Sequence, residues 1–241
     1  MRKLIPLLVL PTALSLAAGA QSNPNSITIN NAIQDVAAGS TTGFVNFHAP
    51  KENTKGRRML LADFSPGYVT TTNDSALKDP RLVFNYDKIT HDLYYSFDRK
   101  TVIEADRSRV KTFHLATADG EQEYTRLDLI KPDAFFQTFN SFDNTHYGFY
   151  ALTKTEFKKA DYRTDGMVES GNNYDEYVDN IQYYIVSPGG KEYQPLELKK
   201  KSVRAALPAV KTKVEEYLSQ HKNDDVNETF VKNLIEYINK G

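Results

Sequence analysis

The sequence predicts a mainly β protein with α-helices, in which an antiparallel meander or sandwich-like sheet precedes a C-terminal helical hairpin. Between residues 58 and 198, apolar and polar residues alternate, which is the period of a half-buried strand. The pairs Asp119-Gly120 and Gly189-Gly190 separate such segments, and glycine readily adopts the positive φ that tight hairpin turns need. After Lys201 the apolar residues recur every three or four positions, which is the period of a helix.

The first twenty residues have the features of a targeting segment. Two basic residues precede a short apolar run that ends in "AGA". We therefore predict a signal peptide over residues 1–20, cleaved between Ala20 and Gln21. A retained membrane anchor is the competing interpretation, but Pro6, Pro11 and the shortness of the apolar run argue against it. The expected mature protein is exported to the periplasm or the extracellular space and has no transmembrane anchor.

Composition excludes several functions. The chain has 30 basic residues, and loss of the two in the signal peptide leaves 28 against 31 acidic ones, a formal charge of −3. Nucleic-acid binding needs a concentrated basic surface, so no nucleic-acid partner is expected. The chain contains no cysteine, which excludes thiol nucleophiles, cysteine-zinc sites and a lipoprotein anchor. This composition fits a bacterial exported protein better than an animal secreted one.

The first part of the mature chain divides into two regions. Residues 21–57 form a polar N-terminal segment, and the β domain is predicted to cover residues 58–198. Its first two strands are expected over 59–64 and 67–72, on either side of the turn signal "SPG" at 65–67.

The rest of the β domain is interpreted from the same alternation and from proline placement. Pro132 suits the first position of a helix, so a short helix is predicted over residues 132–139. The other predicted elements are strands within 81–87, 92–98, 109–116, 123–130 and 146–162, and a polar loop over 163–180.

A hairpin centred on Gly189-Gly190 closes the β domain. With these glycines as a two-residue loop, Tyr183 lies opposite Leu196, and Ile185 lies opposite Gln194. A loop at Pro188-Gly189 would shift the register and asks for a turn whose twist suits hairpins poorly. Because proline cannot donate to a ladder, Pro195 places the return strand at a sheet edge.

The preferred register separates the side chains of this hairpin into two faces. One face carries Ile181, Tyr183, Ile185, Leu196 and Leu198, and the other carries Tyr184, Val186 and Tyr193. Tyr183 is therefore expected in the core. Tyr184 and Tyr193 are the candidate ligand-binding residues, because they are expected to be partly exposed on the second face.

The last predicted region is a helical segment over residues 199–241 that packs on the sheet. Asp225 with Glu228 three residues later has the spacing of a capping box at the second helix. An exposed apolar stripe would be unfavourable in water, so both helices should dock on the sheet. The stripes of the two helices are Leu207, Val210, Val214 and Leu218, then Val226, Phe230, Leu234 and Ile238.

Six segments together resemble a known group. They are "KGRRMLLADFSPGYV", "LVFNYDKITHDLYY", "RVKTFHLA", "FFQTF", "HYGFYALTKTEFKK" and "IQYYIVSPGGKEYQPLELKKKSV", followed by two helices. This arrangement, over about residues 55–240, resembles uncharacterised secreted or envelope proteins of Bacteroidetes bacteria. The resemblance implies an exported protein with a β-rich domain, a tyrosine-rich hairpin, a lysine run and two terminal helices, and it transfers no active site.

The resemblance also suggests one modification site. Asp74-Ser75-Ala76 is similar to the short sequence at which exported Bacteroidetes proteins are O-glycosylated, so Ser75 is a candidate glycosylation site. A polar turn explains these three residues equally well.

No motif predicts a catalytic residue, a metal ligand or a cofactor. The oxygen-rich stretch 165–179 lacks the order of an EF-hand loop, and the basic residues 199–201 with Arg204 are interpreted as a solvated junction. No serine has a nucleophile-elbow motif. None of the five histidines has a ligand spacing: His48, His91, His114, His146 and His221.

Two functional classes remain. The first is a non-enzymatic binding or structural protein of the envelope or extracellular space, with a protein or glycan partner. The second is a hydrolase that uses an unrecognised Asp/Glu pair. The chain has 15 tyrosines but no tryptophan, which disfavours a sugar-stacking platform. Two convergent carboxylates in a cavity would favour hydrolysis, and a flat aromatic surface would favour binding.

Overall fold

The computed structural model describes residues 53–240 and confirms the predicted fold class, a large sheet with C-terminal helices. The predicted signal peptide with its cleavage site at Ala20 and Gln21, most of the polar N-terminal segment, and His48 lie outside the described residues.

The strands and helices of the described residues have the following bounds. The strands are β1 Thr54–Lys55, β2 Ser65–Thr71, β3 Ala76–Leu77, β4 Val83–Tyr86, β5 Leu93–Ser96, β6 Ile103–Glu104, β7 Val110–Thr117, β8 Gly120–Leu127, β9 Lys131–Asn140, β10 Gly148–Lys158, β11 Arg163–Asp165, β12 Val168–Ser170, β13 Asp175–Val186 and β14 Tyr193–Leu196. The helices are α1 Lys200–Ala206, α2 Lys211–Gln220 and α3 Glu228–Asn239, and single 3₁₀ turns occupy Arg107–Arg109, Pro188–Gly190 and Pro208–Val210.

One large sheet carries almost all of the strands. Its order is β1-β13-β10-β9-β8-β7-β2-β4-β5-β6, with β14 also paired to β13 and β3 to β2. Strands β7 to β10 are consecutive neighbours, as in the predicted meander, and the β1–β13 pair is parallel. A separate two-stranded hairpin is formed by β11 and β12.

The chain just after β1 links two distant parts of this sheet. While β1 pairs with β13, Met59 forms a bridge with Asp87 beyond the end of β4. The amide of Leu60 donates to the carbonyl of Tyr86 at 2.8 Å. The segment from β1 to Leu60 therefore curls the sheet, bringing the β4–β5 loop towards β13.

Three apolar clusters fill the two faces of the sheet. On β9, Phe135 belongs to the first cluster and Phe136 to the third, as expected for neighbouring side chains on a strand buried on both sides. The first cluster is built mainly from β2, β4, β5 and β7. The second contains Phe149, Ile185 and Leu196 together with the apolar residues of the three helices.

The helix predicted over residues 132–139 is wrong, because this segment lies in β9. Ala134, Phe135 and Phe136 are all buried, and they are distributed over both faces of the sheet. An apolar run of this kind has no period that distinguishes a strand from a helix. Pro132 is tolerated near the strand start because the β8–β9 register shifts between Arg126 and Leu127.

The predicted turn at residues 65–67 is also wrong. Ser65 and Pro66 pair with β4, and Gly67 pairs with Leu115 of β7, so all three residues lie within β2. A Cβ atom on Gly67 would come within 2.1 Å of the carbonyl oxygen of His114. Close backbone approach, not a turn, therefore explains this glycine. Residues 59–64 form no strand beyond the single Met59 bridge.

The predicted polar loop over residues 163–180 contains ordered β-structure. Strands β11 and β12 pair as a hairpin, and β13 begins at Asp175 and pairs with β10 from Glu176 to Val186. Polar composition concealed β11 and β12, whose side chains are all exposed.

The hairpin at Gly189-Gly190 has the predicted register, with Tyr183 opposite Leu196 and Ile185 opposite Gln194. Its loop is longer than the predicted two residues, since the amide of Ser187 donates to the carbonyl of Glu192 and a 3₁₀ turn lies between them. Both glycines have positive φ, 76° and 64°. Side chains separate onto the predicted faces, although Tyr183 is half-buried and Ile181 is 47% exposed.

The C-terminal helices pack on the sheet through the second cluster. Phe230, Leu234 and Ile238 of α3 are buried there, and the Asn239 amide group exchanges two hydrogen bonds with the backbone of Tyr147. The predicted cap at Asp225 is wrong, because the side chain of Asn227 accepts from the Phe230 amide at 2.9 Å. Helix α1 precedes the two predicted helices.

Candidate functional site

Two adjoining concavities lie where the 3₁₀ turn after β6 meets the β8–β9 connection. The first, called here the polar cavity, has a volume of about 490 Å³. Its lining residues are Glu104, Ala105, Asp106, Arg107, Ser108, Arg126, Asp128, Pro132 and Asp133. This volume lies in the range of about 300–1,000 Å³ that small ligands occupy.

The second concavity, called here the apolar cleft, is smaller and has a volume of about 180 Å³. It shares Arg126 and Asp128 with the polar cavity, so the two concavities lie side by side. Its lining residues are Lys111, Arg126, Leu127, Asp128, Leu129, Ile130, Phe142, Val186 and Gly190.

The 3₁₀ turn Arg107–Arg109, capped by Asp106, forms one wall of the polar cavity. The Asp106 carboxylate accepts from the amide of Ser108 at 3.0 Å and from its hydroxyl at 2.6 Å, and Arg109 lies 3.3 Å from the same carboxylate. Asp and Ser at this spacing favour such turns because their side chains replace backbone partners. The turn thereby orients Arg107.

Both arginines of the polar cavity are held by backbone carbonyls. Arg107 donates to the carbonyl oxygens of Thr90 at 2.8 Å and Asp133 at 3.3 Å. Arg126 donates to the carbonyls of Arg107 and Ser108, each at 2.9 Å, and pairs with Asp128 at 2.8 Å. The guanidinium groups are therefore fixed before any ligand binds, which lowers the entropy cost of recognition.

The four carboxyl groups of the polar cavity have different surroundings. Asp106 is used in the turn, and Asp128 is paired with Arg126. Burial and the neighbouring charge of Asp92 raise the pKa of Glu104, while Arg107 opposes this rise. Asp133 is exposed at the rim. Glu104 therefore keeps its proton to a higher pH than an ordinary glutamate does.

The predicted tyrosines meet on the same face as the apolar cleft. Tyr184 and Tyr193 form an edge-to-face pair with ring centroids 6.0 Å apart, and Tyr193 lies opposite the cleft residue Val186. Tyr184 also packs against Phe136 and donates to Gln182 at 3.0 Å. Burial, with a smaller effect of Tyr193, raises the pKa of Tyr184. The pair adjoins the cleft but lines neither concavity.

Ser75, the candidate glycosylation site, lies in the tight turn between β2 and β3. Its amide donates to Thr71 Oγ1 at 3.2 Å, and its carbonyl accepts from the Thr71 amide at 2.9 Å. Asp74 beside it has a φ of 59°. The residue is half-buried, and its glycosylation stays a prediction.

The four described histidines lie in separate surroundings. His91 is buried against Tyr86, His114 stacks on Tyr68, and His146 and His221 each pair with an aspartate three positions away. Within residues 53–240, no group of three or more acidic, histidine or cysteine side chains is placed to hold a metal ion.

The basic residues near Lys199 are engaged in local contacts. Lys199 pairs with Glu197 at 2.8 Å, and Arg204 pairs with Glu215 at 2.8 Å. Lys200 donates to the backbone carbonyls at the end of α2. These contacts describe a strand-to-helix junction, as the sequence indicated.

A third concavity, of about 430 Å³, lies between the β4–β5 loop and β13. The charged pair on its wall is satisfied internally, because Lys88 donates to both carboxylate oxygens of Asp179 at 2.8 and 2.7 Å. Lys88 and Asp179 are therefore less available to a ligand.

The polar cavity was not predicted from the sequence. Its residues come from β6, the following turn, the end of β8 and the start of β9, which are separate elements brought together by the sheet. The sequence did contain one local indication of this site. The stretch "EADRSR" at residues 104–109 has the Asp-x-Ser spacing of a turn, and this turn carries two arginines.

Comparison of the chain with protein-family models, curated proteins and solved structures gives no match. Across residues 53–240, none of the helices is both long and apolar enough to span a bilayer.

Proposed function

We propose that this chain is an exported binding protein that recognises a hydroxyl-rich ligand, a glycan of the envelope or its surroundings, in the polar cavity. The observation that carries the proposal is the combination of a ligand-sized cavity with two immobilised guanidinium groups and several carboxyl groups. Sugar hydroxyls donate to carboxylates and accept from guanidinium groups, so this mixture suits them. Export rests on the targeting features of residues 1–20.

The cavity is lined by both carboxyl groups and arginines, and this favours an uncharged ligand over a polyanion. A polyanion would meet four carboxyl groups beside two arginines that already have partners. A neutral or weakly charged glycan avoids this repulsion. Recognition then depends on hydrogen bonds, which is consistent with a chain that has no tryptophan for sugar stacking.

A glycan array followed by titration calorimetry tests the binding proposal. Glu104→Gln and Asp133→Asn keep side-chain size but remove the charge and replace one acceptor oxygen with an NH2 donor. Each should weaken binding about tenfold, since a hydrogen bond to a charged group contributes about 1.5–3 kcal/mol. Asp119→Asn, at the exposed loop between β7 and β8, is the matched control. Equal affinity in all three variants would place the ligand elsewhere.

Export has its own test. N-terminal sequencing of protein recovered from the envelope or medium should begin at Gln21, and cytoplasmic protein that retains Met1 would contradict the proposal.

The raised pKa of Glu104 favours a second candidate, the hydrolase. A cavity that holds one carboxyl group with a raised pKa beside further carboxyl groups has the ingredients of a general acid and a general base. Incubation with bound oligosaccharides and measurement of new reducing ends separates the two functions. Turnover that Glu104→Gln abolishes while binding persists would establish hydrolysis, and unchanged oligosaccharide supports binding alone.

A further inference from the structure

A slender arm projects beyond the main sheet. Strands β10 and β13 stay paired past β9, for example at Glu156–Val178 and Lys158–Glu176, with the two-residue strand β1 alongside Asp175 and Glu176. The β11–β12 hairpin continues the arm, and all residues from 156 to 173 are exposed. Regular pairing along this length gives the arm a defined shape.

The end of the arm is apolar. Asp165 pairs with Val168, so Gly166 and Met167 form a two-residue loop, and Gly166 has the positive φ of such a loop. Met167 is fully exposed, and Val168 is 67% exposed. A methionine at the end of a paired hairpin is a typical anchor for a partner because it is unbranched and adapts to irregular pockets.

Acidic residues flank this tip. Asp165 precedes the loop and Glu169 follows Val168, and both are exposed. Negative charge beside an apolar anchor disfavours an anionic lipid surface and favours a protein pocket with a basic rim.

The chain itself carries a pocket of this kind. Leu127, Leu129, Ile130, Phe142 and Val186 line the apolar cleft, and Lys111 lies at its rim with Arg126. Its volume of about 180 Å³ is below the range of small-molecule sites, so it suits a single inserted side chain.

The two cations of the cleft differ in how readily they can be shared. Lys111 and its partner Asp74 are both exposed, so their ion pair stabilises the fold little. Arg126 is held by Asp128 and by two backbone carbonyls. An approaching carboxylate can therefore share Lys111 at little cost.

We propose that the hairpin tip of one molecule docks into the apolar cleft of a second copy of this chain. Met167 fills the cleft, and the acidic residues Asp165 and Glu169 lie on its basic side, where Glu169 faces Lys111. Because Met167 is fully exposed in its own molecule, the cleft it enters belongs to another. The contact joins two different surfaces, so it is heterologous and leads to a ring or an open chain of copies. This self-association goes beyond glycan binding and does not depend on it.

Sedimentation of the mature chain over a range of concentrations tests the proposal. We expect concentration-dependent association that Met167→Asp weakens by about tenfold or more, as expected for a central anchor. Lys111→Glu should weaken it too, and Glu169→Lys in the same chain should partly restore it. A parent chain that stays monomeric at several hundred micromolar, or a Met167→Asp variant that associates like the parent, would overturn the proposal.

Disulfide trapping locates the contact, since the chain has no cysteine of its own. Mixing the Met167→Cys variant with the Leu129→Cys variant under mild oxidation should give a mixed disulfide dimer. The control is Asp119→Cys, which lies in the two-residue loop between β7 and β8. Equal cross-linking of this control to Leu129→Cys, or no mixed dimer with Met167→Cys, would contradict docking at the cleft.

Discussion

The ammonium nitrogen of Lys131 lies 2.8 Å from Nε2 of the buried His91 ring, and Nδ1 of that ring lies 2.9 Å from the hydroxyl oxygen of Tyr86. A charged lysine can only donate, so Nε2 accepts and Nδ1 carries the proton that is donated to Tyr86. The amide of Phe135 donates to the same hydroxyl oxygen. His91 thus links the β4–β5 loop to β9 only while it is neutral.

Acid should destabilise the protein through His91. Burial, followed by the charges of Lys131 and Arg107, lowers the pKa of His91 from its ordinary value of 6.5 to about 4, against the opposing effects of Asp87 and Asp92. The unfolded chain therefore binds more protons between these pH values, and stability falls as the pH drops from 6.5 to 4. Urea denaturation at several pH values measures this slope.

Two controls accompany this prediction: the variant His91→Gln and measurements below pH 4. His91→Gln should flatten the stability profile between pH 6.5 and 4. Below pH 4 a further loss is expected in both proteins, because hydrogen bonds hold the pKa of Asp79 and of Asp98 at about 2. A parent profile that is flat above pH 4 would show that His91 is protonated without cost.

Replacement of Phe230 tests the docking of α3. The ring is 6% exposed within the second cluster, so Phe230→Ala should lower the free energy of unfolding by about 3–5 kcal/mol. Leu234→Ala should cost about 2–5 kcal/mol, and the exposed Lys232→Ala should cost almost nothing. Equal stability of all three variants in chemical denaturation would mean that α3 does not belong to the core.

Removal of the N-terminal cap of α3 should destabilise the protein less than the loss of a buried side chain does. Asn227→Ala removes the acceptor of the Phe230 amide and should cost about 1 kcal/mol. Asp225→Ala should change the free energy of unfolding by less than about 0.5 kcal/mol, because Asp225 is exposed and lies outside the cap. Urea denaturation measures both changes. A larger loss of stability in Asp225→Ala than in Asn227→Ala would show that Asp225 is the cap after all.

Substitutions of Lys88 and Asp179 should have non-additive effects on the free energy of unfolding. The Lys88 side chain is only 5% exposed, and Thr155 also donates to Asp179 at 2.5 Å. Asp179→Ala leaves a buried ammonium group without its carboxylate, so it should be more destabilising than the double variant Lys88→Met/Asp179→Ala. A double-mutant cycle measures the coupling between the two residues. If the stability changes of the two single variants add up to that of the double variant, water already solvates the Lys88 ammonium group.

Sequence alone was sufficient wherever the relevant pattern is local. Alternation predicted β7, β8 and β10, and the register across Gly189-Gly190 follows from the side-chain period and the position of the turn. The apolar stripe of α3 likewise needs only the helical period. These features depend on residues a few positions apart, so a local sequence pattern is enough to predict them.

Tertiary structure decided the elements whose sequence suits more than one conformation. The run around Phe135 became a strand because apolar layers cover both faces of β9, and Gly67 lies in β2 because another backbone passes beside it. The polar cavity combines β6 with the ends of β8 and β9, and the apolar cleft adds a residue of β13. Such sites depend on sheet order and curvature, which arise from contacts between distant residues and leave no periodic pattern in the chain.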